Sequence, residues 1–246
     1  MAFELSKKNI LITGGTAGIG LAIAKRFVAH GARVVISGRR KEGAEIAEQI
    51  GAQFILADLT REQDASRLFT ETIALFTTLD VVINNAGCTG EGGLIAEQPL
   101  AAFDRVFDLN VRAAYQVLHL AANYVADGGV IINTASIAAS RGGAGGSAYY
   151  ASKAAIISLT KTAALELAGK HIRVNAVSPG LIKSDIWQGS TPEQWAQRSV
   201  PMQRVGSGEE VAAVFQFLAS DDSRYITGAE YLVDGGFNAG EVFTGK

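Results

Sequence analysis

The eight residues Thr13-Gly-Gly-Thr-Ala-Gly-Ile-Gly20 constrain this chain more than any other feature. Before them lies Asn9-Ile-Leu-Ile-Thr13, short, β-branched and apolar on both faces, the pattern of a buried parallel strand. After them, Leu21, Ile23, Ala24, Phe27 and Val28 fall on one helical stripe that ends at His30, and Gly31 stops it. Strand, glycine turn and helix in that order open a βαβ unit. Backbone N–H groups and the positive end of the helix then face one point, where a pyrophosphate can sit. Gly14 permits the tight turn, Gly18 lets a phosphate approach the backbone, and Gly20 lets helix and strand pack closely. Thr16 and Ile19 complete the candidate contacts of this turn. The spacing is G-x-x-x-G-x-G, and no Lys-Ser/Thr pair follows as a nucleoside-triphosphate loop needs. Taken alone, the motif also fits a glycine turn that holds no ligand.

The remaining chain repeats the alternation. Strands are expected at 33–37, 53–57, 80–84, 129–134, 171–177 and 229–233. Helices are expected at 41–50, 61–76, 148–168 and 207–219, and a long one with a break over 100–126. Such alternation predicts an α/β fold, a single domain over 1–246 built on a doubly wound parallel sheet of about seven strands with helices on both faces. The irregular stretch 178–206 holds three of the four prolines and both tryptophans, Trp187 and Trp195. It reads as a substrate lid, at about 181–206, or as a surface excursion.

Composition excludes several classes. Lys+Arg is 22 and Asp+Glu 24, a net charge of −2 with no basic stripe, which argues against nucleic-acid binding. Cys88 is the single cysteine, so no intrachain disulfide can form. His30, His119 and His171 lie far apart and form no metal set. No apolar run reaches the length of a membrane span, and the first ten residues carry no signal core, so a soluble, cytoplasmic protein is expected.

The second strand ends Ser37-Gly38-Arg39-Arg40. An NAD site normally offers a carboxylate there for both ribose hydroxyls. Gly38 stands in its place and two guanidiniums follow, which suit a 2′-phosphate and favour NADP (NADPH) over NAD. Two solvated surface arginines are the other reading. Asn84-Asn-Ala-Gly87 closes strand four, and Asn133-Thr-Ala-Ser136 closes strand five. Thirteen residues after Ser136 comes Tyr149, and four further on Lys153. At i, i+4 the phenol and the ammonium share a helix face, whereas Tyr150 points about 100° away. An adjacent ammonium is expected to lower the Tyr149 pKa from its usual ~10, making it a proton donor and acceptor near neutrality.

In this order, these motifs resemble the short-chain dehydrogenase/reductase family, from about residue 5 to 238. The resemblance rests on the glycine turn, Asp58-Leu59, Asn84-Asn-Ala-Gly87, Asn110, Ser136, Tyr149 with Lys153, Pro179-Gly180 and Asp234-Gly-Gly236. It implies a Rossmann-like fold and reversible hydride transfer between a nicotinamide and a carbonyl or secondary alcohol of a small molecule, with no metal. By that resemblance Tyr149 is the general acid or base, Ser136 binds the substrate oxygen, and Lys153 holds the nicotinamide ribose and tunes Tyr149. Asn110 sits in a distorted helix turn that holds a relay water. Asp58 meets the adenine amino group with Leu59 against the ring. Asn85, Ala86 and Gly87 wall the ribose, Pro179, Gly180 and Ile182 form a shelf under the nicotinamide, and Ser184 takes the place of the usual threonine. Ser37, Arg39 and Arg40 complete the cofactor set. Ala17 departs from the basic residue of many NADP-using relatives, so Arg39 and Arg40 must carry the discrimination.

The substrate is expected against 88–95, the Ser136–Arg141 turn, a roomy glycine cluster at 142–146, and 186–195. Arg141 would pair with a carboxylate or face solvent. The family also implies a homotetramer. Two alternatives are a 3-oxoacyl-(acyl-carrier-protein)-type reductase and a non-catalytic NADP-binding sensor or scaffold. Against the first, 121–129 offers no basic residue for carrier docking; against the second, Asn110, Ser136, Tyr149 and Lys153 are all intact.

Overall fold

The computed structural model describes residues 3–183 and 192–240. Seven strands form one parallel sheet: β1 (Asn9–Thr13), β2 (Arg33–Gly38), β3 (Gln53–Leu56), β4 (Leu79–Asn84), β5 (Val125–Thr134), β6 (Arg173–Pro179) and β7 (Glu230–Val233), in the order β3-β2-β1-β4-β5-β6-β7. The chain winds outward through β2 and β3, then returns to the other side of β1 to begin β4. At this reversal the loops after β1 and β4 diverge and leave a crevice at the carboxyl edge of the sheet, the usual ligand site of open α/β folds.

Apolar residues on both faces of each strand demand cover on both sides. From β1, Leu11 faces one core and Ile10 and Ile12 the other, since side chains alternate along a strand. Leu11 packs with Leu68 and Phe69 of α3 (Glu62–Phe76), Val117 and Leu118 of α5 (Ala114–Tyr124) and Ala163 of α6 (Ser147–Leu167). Ile10 and Ile12 meet Ile23 and Phe27 of α1 (Gly18–Ala29), Ala47 of α2 (Gly43–Ile50) and Phe215 of α8 (Gly208–Ala219). Each such large side chain, fully buried, contributes about 1.5–3 kcal/mol.

One expectation is met, and two differences have local causes. Helix α1 starts at Gly18, so the glycine turn supplies its first turn. Between α4 (Leu100–Phe107) and α5 the backbone forms a π-turn, Asp108–Ala113, which is the expected break. Within the irregular stretch, Pro192–Ser199 forms a helix, α7, with Ala196 buried against Leu181 and Val200. Proline suits that first helical position because its missing N–H has no partner there. Ser184, Trp187 and the rest of 184–191 lie outside the described residues.

Candidate active site

The loop after β1 is built for close approach. Gly14 has φ +64° and Gly18 φ +52°, left-handed values that favour glycine. A Cβ on Gly20 would collide with the Gly14 carbonyl and lie 2.6 Å from Asn85 Nδ2, whereas one on Gly18 would meet nothing within 4 Å. Ala17, the residue before α1, offers no side-chain cap, so the first helical N–H groups remain open to an outside acceptor. An anion cradle of this shape fits the pyrophosphate of a dinucleotide. Thr16 packs over the end of β2: a Cβ on Gly38 would lie 2.9 Å from its Oγ1.

Polar side chains brace this turn from β4. Thr13 Oγ1 accepts from the N–H groups of Asn85 (2.9 Å) and Ala86 (3.1 Å). Asn85 Nδ2 donates to the carbonyls of Thr13 (3.0 Å) and Gly14 (3.2 Å), and its Oδ1 accepts from Thr134 Oγ1 (3.1 Å). Deeper, Asn84 faces Asn133 across the β4–β5 register and donates to its Oδ1 at 3.0 Å, while Asn133 donates to Thr160 at 2.9 Å. Thr13, Asn133 and Thr134 were not singled out from the sequence. The available signal was polar residues closing otherwise apolar strands, where a buried polar group must find a partner.

Several cofactor candidates take positions the sequence did not foretell. Ser37 is 1% exposed and its carbonyl accepts from the Gly15 N–H at 3.1 Å, so it shapes the turn and has almost no surface to offer a ligand. Leu59 is packed into the core with Leu68 and Phe69, which leaves little of its side chain for an adenine ring. Ile182 is likewise buried in the core. Asp58 Oδ1 is oriented by Thr60, accepting from its N–H (3.1 Å) and Oγ1 (2.8 Å). Arg39 and Arg40 are exposed just beyond β2, and neither forms an ion pair with a described residue. Pro179 ends β6, and a Cβ on Gly180 would lie 2.7 Å from Asp234 Cβ. The Pro-Gly and Asp-Gly-Gly motifs therefore touch.

The π-turn before α5, the carboxyl end of β5 and the first turns of α6 bring Asn110, Ser136, Tyr149 and Lys153 together. Ser136 precedes the 3₁₀ turn Ile137–Ser140 and accepts from the Ala138 N–H at 3.1 Å. Its hydroxyl also lies close enough to Tyr149 to pull the phenol's pKa down. Lys153 is buried; its Nζ donates to the Thr134 carbonyl at 3.0 Å and lies 5.7 Å from the centre of the Tyr149 ring. The π-turn aims Asn110 inward. Its Oδ1 accepts from the Cys88 N–H (2.8 Å), and its Nδ2 donates to the Cys88 carbonyl (2.8 Å) and to Ser152 Oγ (3.1 Å). Gly87 fits between: a Cβ there would lie 3.1 Å from Asn110 Oδ1 and 3.5 Å from Lys153 Nζ.

The electrostatics overturn one expectation. Burial pushes the Tyr149 pKa up, against a smaller downward pull from the Ser136 hydroxyl. Lys153 is not among the groups that shift it; its Nζ is held on the Thr134 carbonyl, 5.7 Å from the ring centre. Burial brings the Lys153 pKa down to about 8. The glycine cluster also differs: Gly143 and Gly146 are not empty space but the bed of the Tyr150 ring, which a Cβ on Gly146 would meet at 2.8 Å. Arg141 forms no ion pair among the described residues. Its guanidinium lies 4.4 Å from the centre of the Phe237 ring.

The wall opposite is tied to the catalytic helix. The Gly93 N–H donates to the Gly145 carbonyl (2.9 Å), Ser147 Oγ donates to Gln98 Oε1 (3.1 Å), and Gln98 Nε2 donates to the Glu91 carbonyl (2.8 Å). Among the described residues, no cluster of His, Cys, Asp and Glu could hold a metal, and no helix is long and apolar enough to cross a membrane.

Known proteins carry the same architecture. The family model described as enoyl-(acyl carrier protein) reductase matches residues 14–238. The chain is 39% identical to (+)-borneol dehydrogenase 2 of Salvia officinalis, over 97% of this chain and 92% of that one. It is 36% identical to the 3-oxoacyl-[acyl-carrier-protein] reductase of Chlamydia muridarum, over 94% and 98%. Among solved structures, levodione reductase superposes with a TM-score of 0.91 at 30% identity, covering 97% of this chain and all of that one. The 3-ketoacyl-(acyl-carrier-protein) reductase of Brucella melitensis, complexed with NADH, gives 0.90 at 32% identity over 96% and 100%. With sequence, fold and site in agreement, this chain belongs to the short-chain dehydrogenase/reductase family and is an NAD(P)-dependent oxidoreductase working between alcohols and carbonyls.

Proposed function

We propose that this chain is an NADPH-preferring reductase of a free small-molecule ketone, running in reverse on the secondary alcohol. The observation that carries the reading is Tyr149 flanked by Lys153, buried with its Nζ 5.7 Å from the ring centre, and by the Ser136 hydroxyl. When bound, the nicotinamide supplies or accepts the hydride. Ser136 and Tyr149 present two hydroxyls to the carbonyl oxygen, where negative charge develops during reduction. Burial keeps Tyr149 protonated at neutral pH, so it meets that oxygen ready to give its proton. In oxidation it takes the proton back. Lys153 donates to the ribose hydroxyls from its seat on the Thr134 carbonyl. The π-turn at Asn110 leaves main-chain groups to hold the relay water, since the side-chain amide is engaged with Cys88 and Ser152.

Gly14, Thr16, Gly18, Ile19 and Gly20 cradle the pyrophosphate. Asp58 meets the adenine, Asn85, Ala86 and Gly87 line the ribose, and Pro179 and Gly180 lie under the nicotinamide. Arg39 and Arg40, exposed and without ion-pair partners among the described residues, grip the 2′-phosphate. The whole chain acts as one catalytic domain in a cytoplasmic homotetramer that light scattering would register at four times 25.8 kDa.

The test follows nicotinamide absorbance with NADPH or NADH against cyclic and aromatic ketones, α-diketones, keto sugars and a β-ketoacyl thioester. Tyr149→Phe should lose nearly all turnover while still binding cofactor. Full activity in that variant would refute the assignment. Preference for the thioester would move the function to acyl-carrier reduction, the activity named for the Chlamydia muridarum relative.

A further inference from the structure

Three segments far apart in sequence converge on one ring. Phe237 follows β7, in a turn that Asp234 fixes by accepting from the N–H groups of Gly236 (2.9 Å) and Asn238 (2.9 Å). Gly235 and Gly236 have φ +64° and +87°, so the turn that aims this ring favours glycine at both positions. Arg141, which ends the turn begun by Ser136, sets its guanidinium 4.4 Å from the ring centre. Trp195 of α7 meets the same ring edge-on, with centres 5.4 Å apart at 61°. The ring also packs on the cluster of Leu181, Ala196 and Val200, where Leu181 follows directly on Pro179-Gly180. Beside it, Asn238 Nδ2 donates to Ser140 Oγ at 2.6 Å.

The ring therefore links α7, the serine turn and the segment after β6, the first two of which belong to the expected surround of the substrate. Among the described residues, neither of its two polar-tipped neighbours is held by anything else that is comparably directional. Arg141 forms no ion pair with a described residue, and Trp195 is 46% exposed. From this geometry we infer that Phe237 is a positioning residue that sets the width of the outer cleft through Arg141 and Trp195, and so selects substrates by bulk. The inference rests on the carbonyl-reductase reading of the site.

The test compares Phe237→Leu, which keeps apolar bulk on Leu181 but removes the ring, with Phe237→Tyr, which keeps the ring. For each, kcat/KM is measured on cyclohexanone and on the bicyclic ketone camphor with saturating NADPH. Phe237→Leu is expected to shift the camphor-to-cyclohexanone ratio about fivefold towards camphor, through KM, since one ring contact and one cation–π contact are lost. Phe237→Tyr should keep the wild-type ratio. A purely structural role would scale both substrates alike, and that result, or an unchanged ratio in Phe237→Leu, overturns the inference. A second readout needs no turnover. In a Trp187→Phe background Trp195 is the single tryptophan, and its acrylamide quenching should rise in Phe237→Leu and stay constant in Phe237→Tyr. Equal quenching in both also overturns the inference. Wild-type protein inactive on every ketone with either cofactor would refute the carbonyl-reductase reading, and the substrate-selection claim falls with it; active wild type with an invariant ratio refutes the positioning role alone.

Discussion

Gly20→Ala is expected to destabilise the protein far more than one added methyl suggests. Its Cβ would press on the Gly14 carbonyl and stand 2.6 Å from Asn85 Nδ2, and neither group can swing away. The carbonyl is backbone in a tight turn, and the amide is held by bonds of 3.0 and 3.2 Å to Thr13 and Gly14. Relief requires α1 to back off from the turn, an overpacking cost of ~1–3 kcal/mol, and loosens a hydrogen bond worth ~1 kcal/mol. The sum is about 3 kcal/mol, which lowers Tm by about 6–12 °C in a chain of this length. Gly18→Ala makes the contrast. Its Cβ meets nothing within 4 Å, so the penalty is only that of φ +52° for alanine, ~1–2 kcal/mol. Yet that methyl stands where a phosphate must approach the backbone. Thermal melts followed by circular dichroism should rank Gly20→Ala below Gly18→Ala. Titration with NADPH should show a loss of about tenfold or more for Gly18→Ala, at ~1.4 kcal/mol per decade. If Gly20→Ala melts with the wild type, or Gly18→Ala binds cofactor normally, the close-approach argument is wrong.

Burial of Lys153 gives two pH effects. The ammonium is lost as pH rises through about 8, so kcat/KM for cofactor, which reports on the free enzyme, should fall above that point; a profile flat past pH ~9.5 would refute it. For stability the sign runs the other way. Between about 8 and the ordinary lysine value of 10.5 the unfolded chain binds the extra proton, so the burden of burying this charge is full below about 8 and fades as pH rises. The Tm advantage of Lys153→Met over wild type should therefore shrink with rising pH. Replacing Arg39 and Arg40 together by alanine should weaken NADPH about tenfold and leave NADH nearly unchanged, with the loss smaller at high salt. Equal weakening of both cofactors would remove these residues from the 2′-phosphate.

The layered sheet was legible because its evidence is local. Each strand announces itself as a short apolar run, each helix as a stripe, and glycine marks the joins, as at Gly51, whose φ is +77°. The order of the motifs along the chain also placed Asn110, Ser136, Tyr149 and Lys153 at one edge, since successive strands of a parallel sheet all end on the same side. Helix α7 was not legible, because its burial depends on Leu181 and Val200 and its own sequence is mostly polar.

By itself the sequence determined the fold class, the side of the sheet that carries the site and the chemical kinds of group placed there. These follow from patterns that span a few residues or a fixed strand–helix repeat. Only the tertiary structure decided what surrounds each group. It put Lys153 on the Thr134 carbonyl, over the Tyr149 ring, and raised the phenol's pKa by burial where adjacency alone argued for lowering it. It laid Tyr150 on Gly143 and Gly146, and it brought Arg141 and Trp195 onto the ring of Phe237. Desolvation and contact are properties of what lies across space, and no spacing along a chain encodes them.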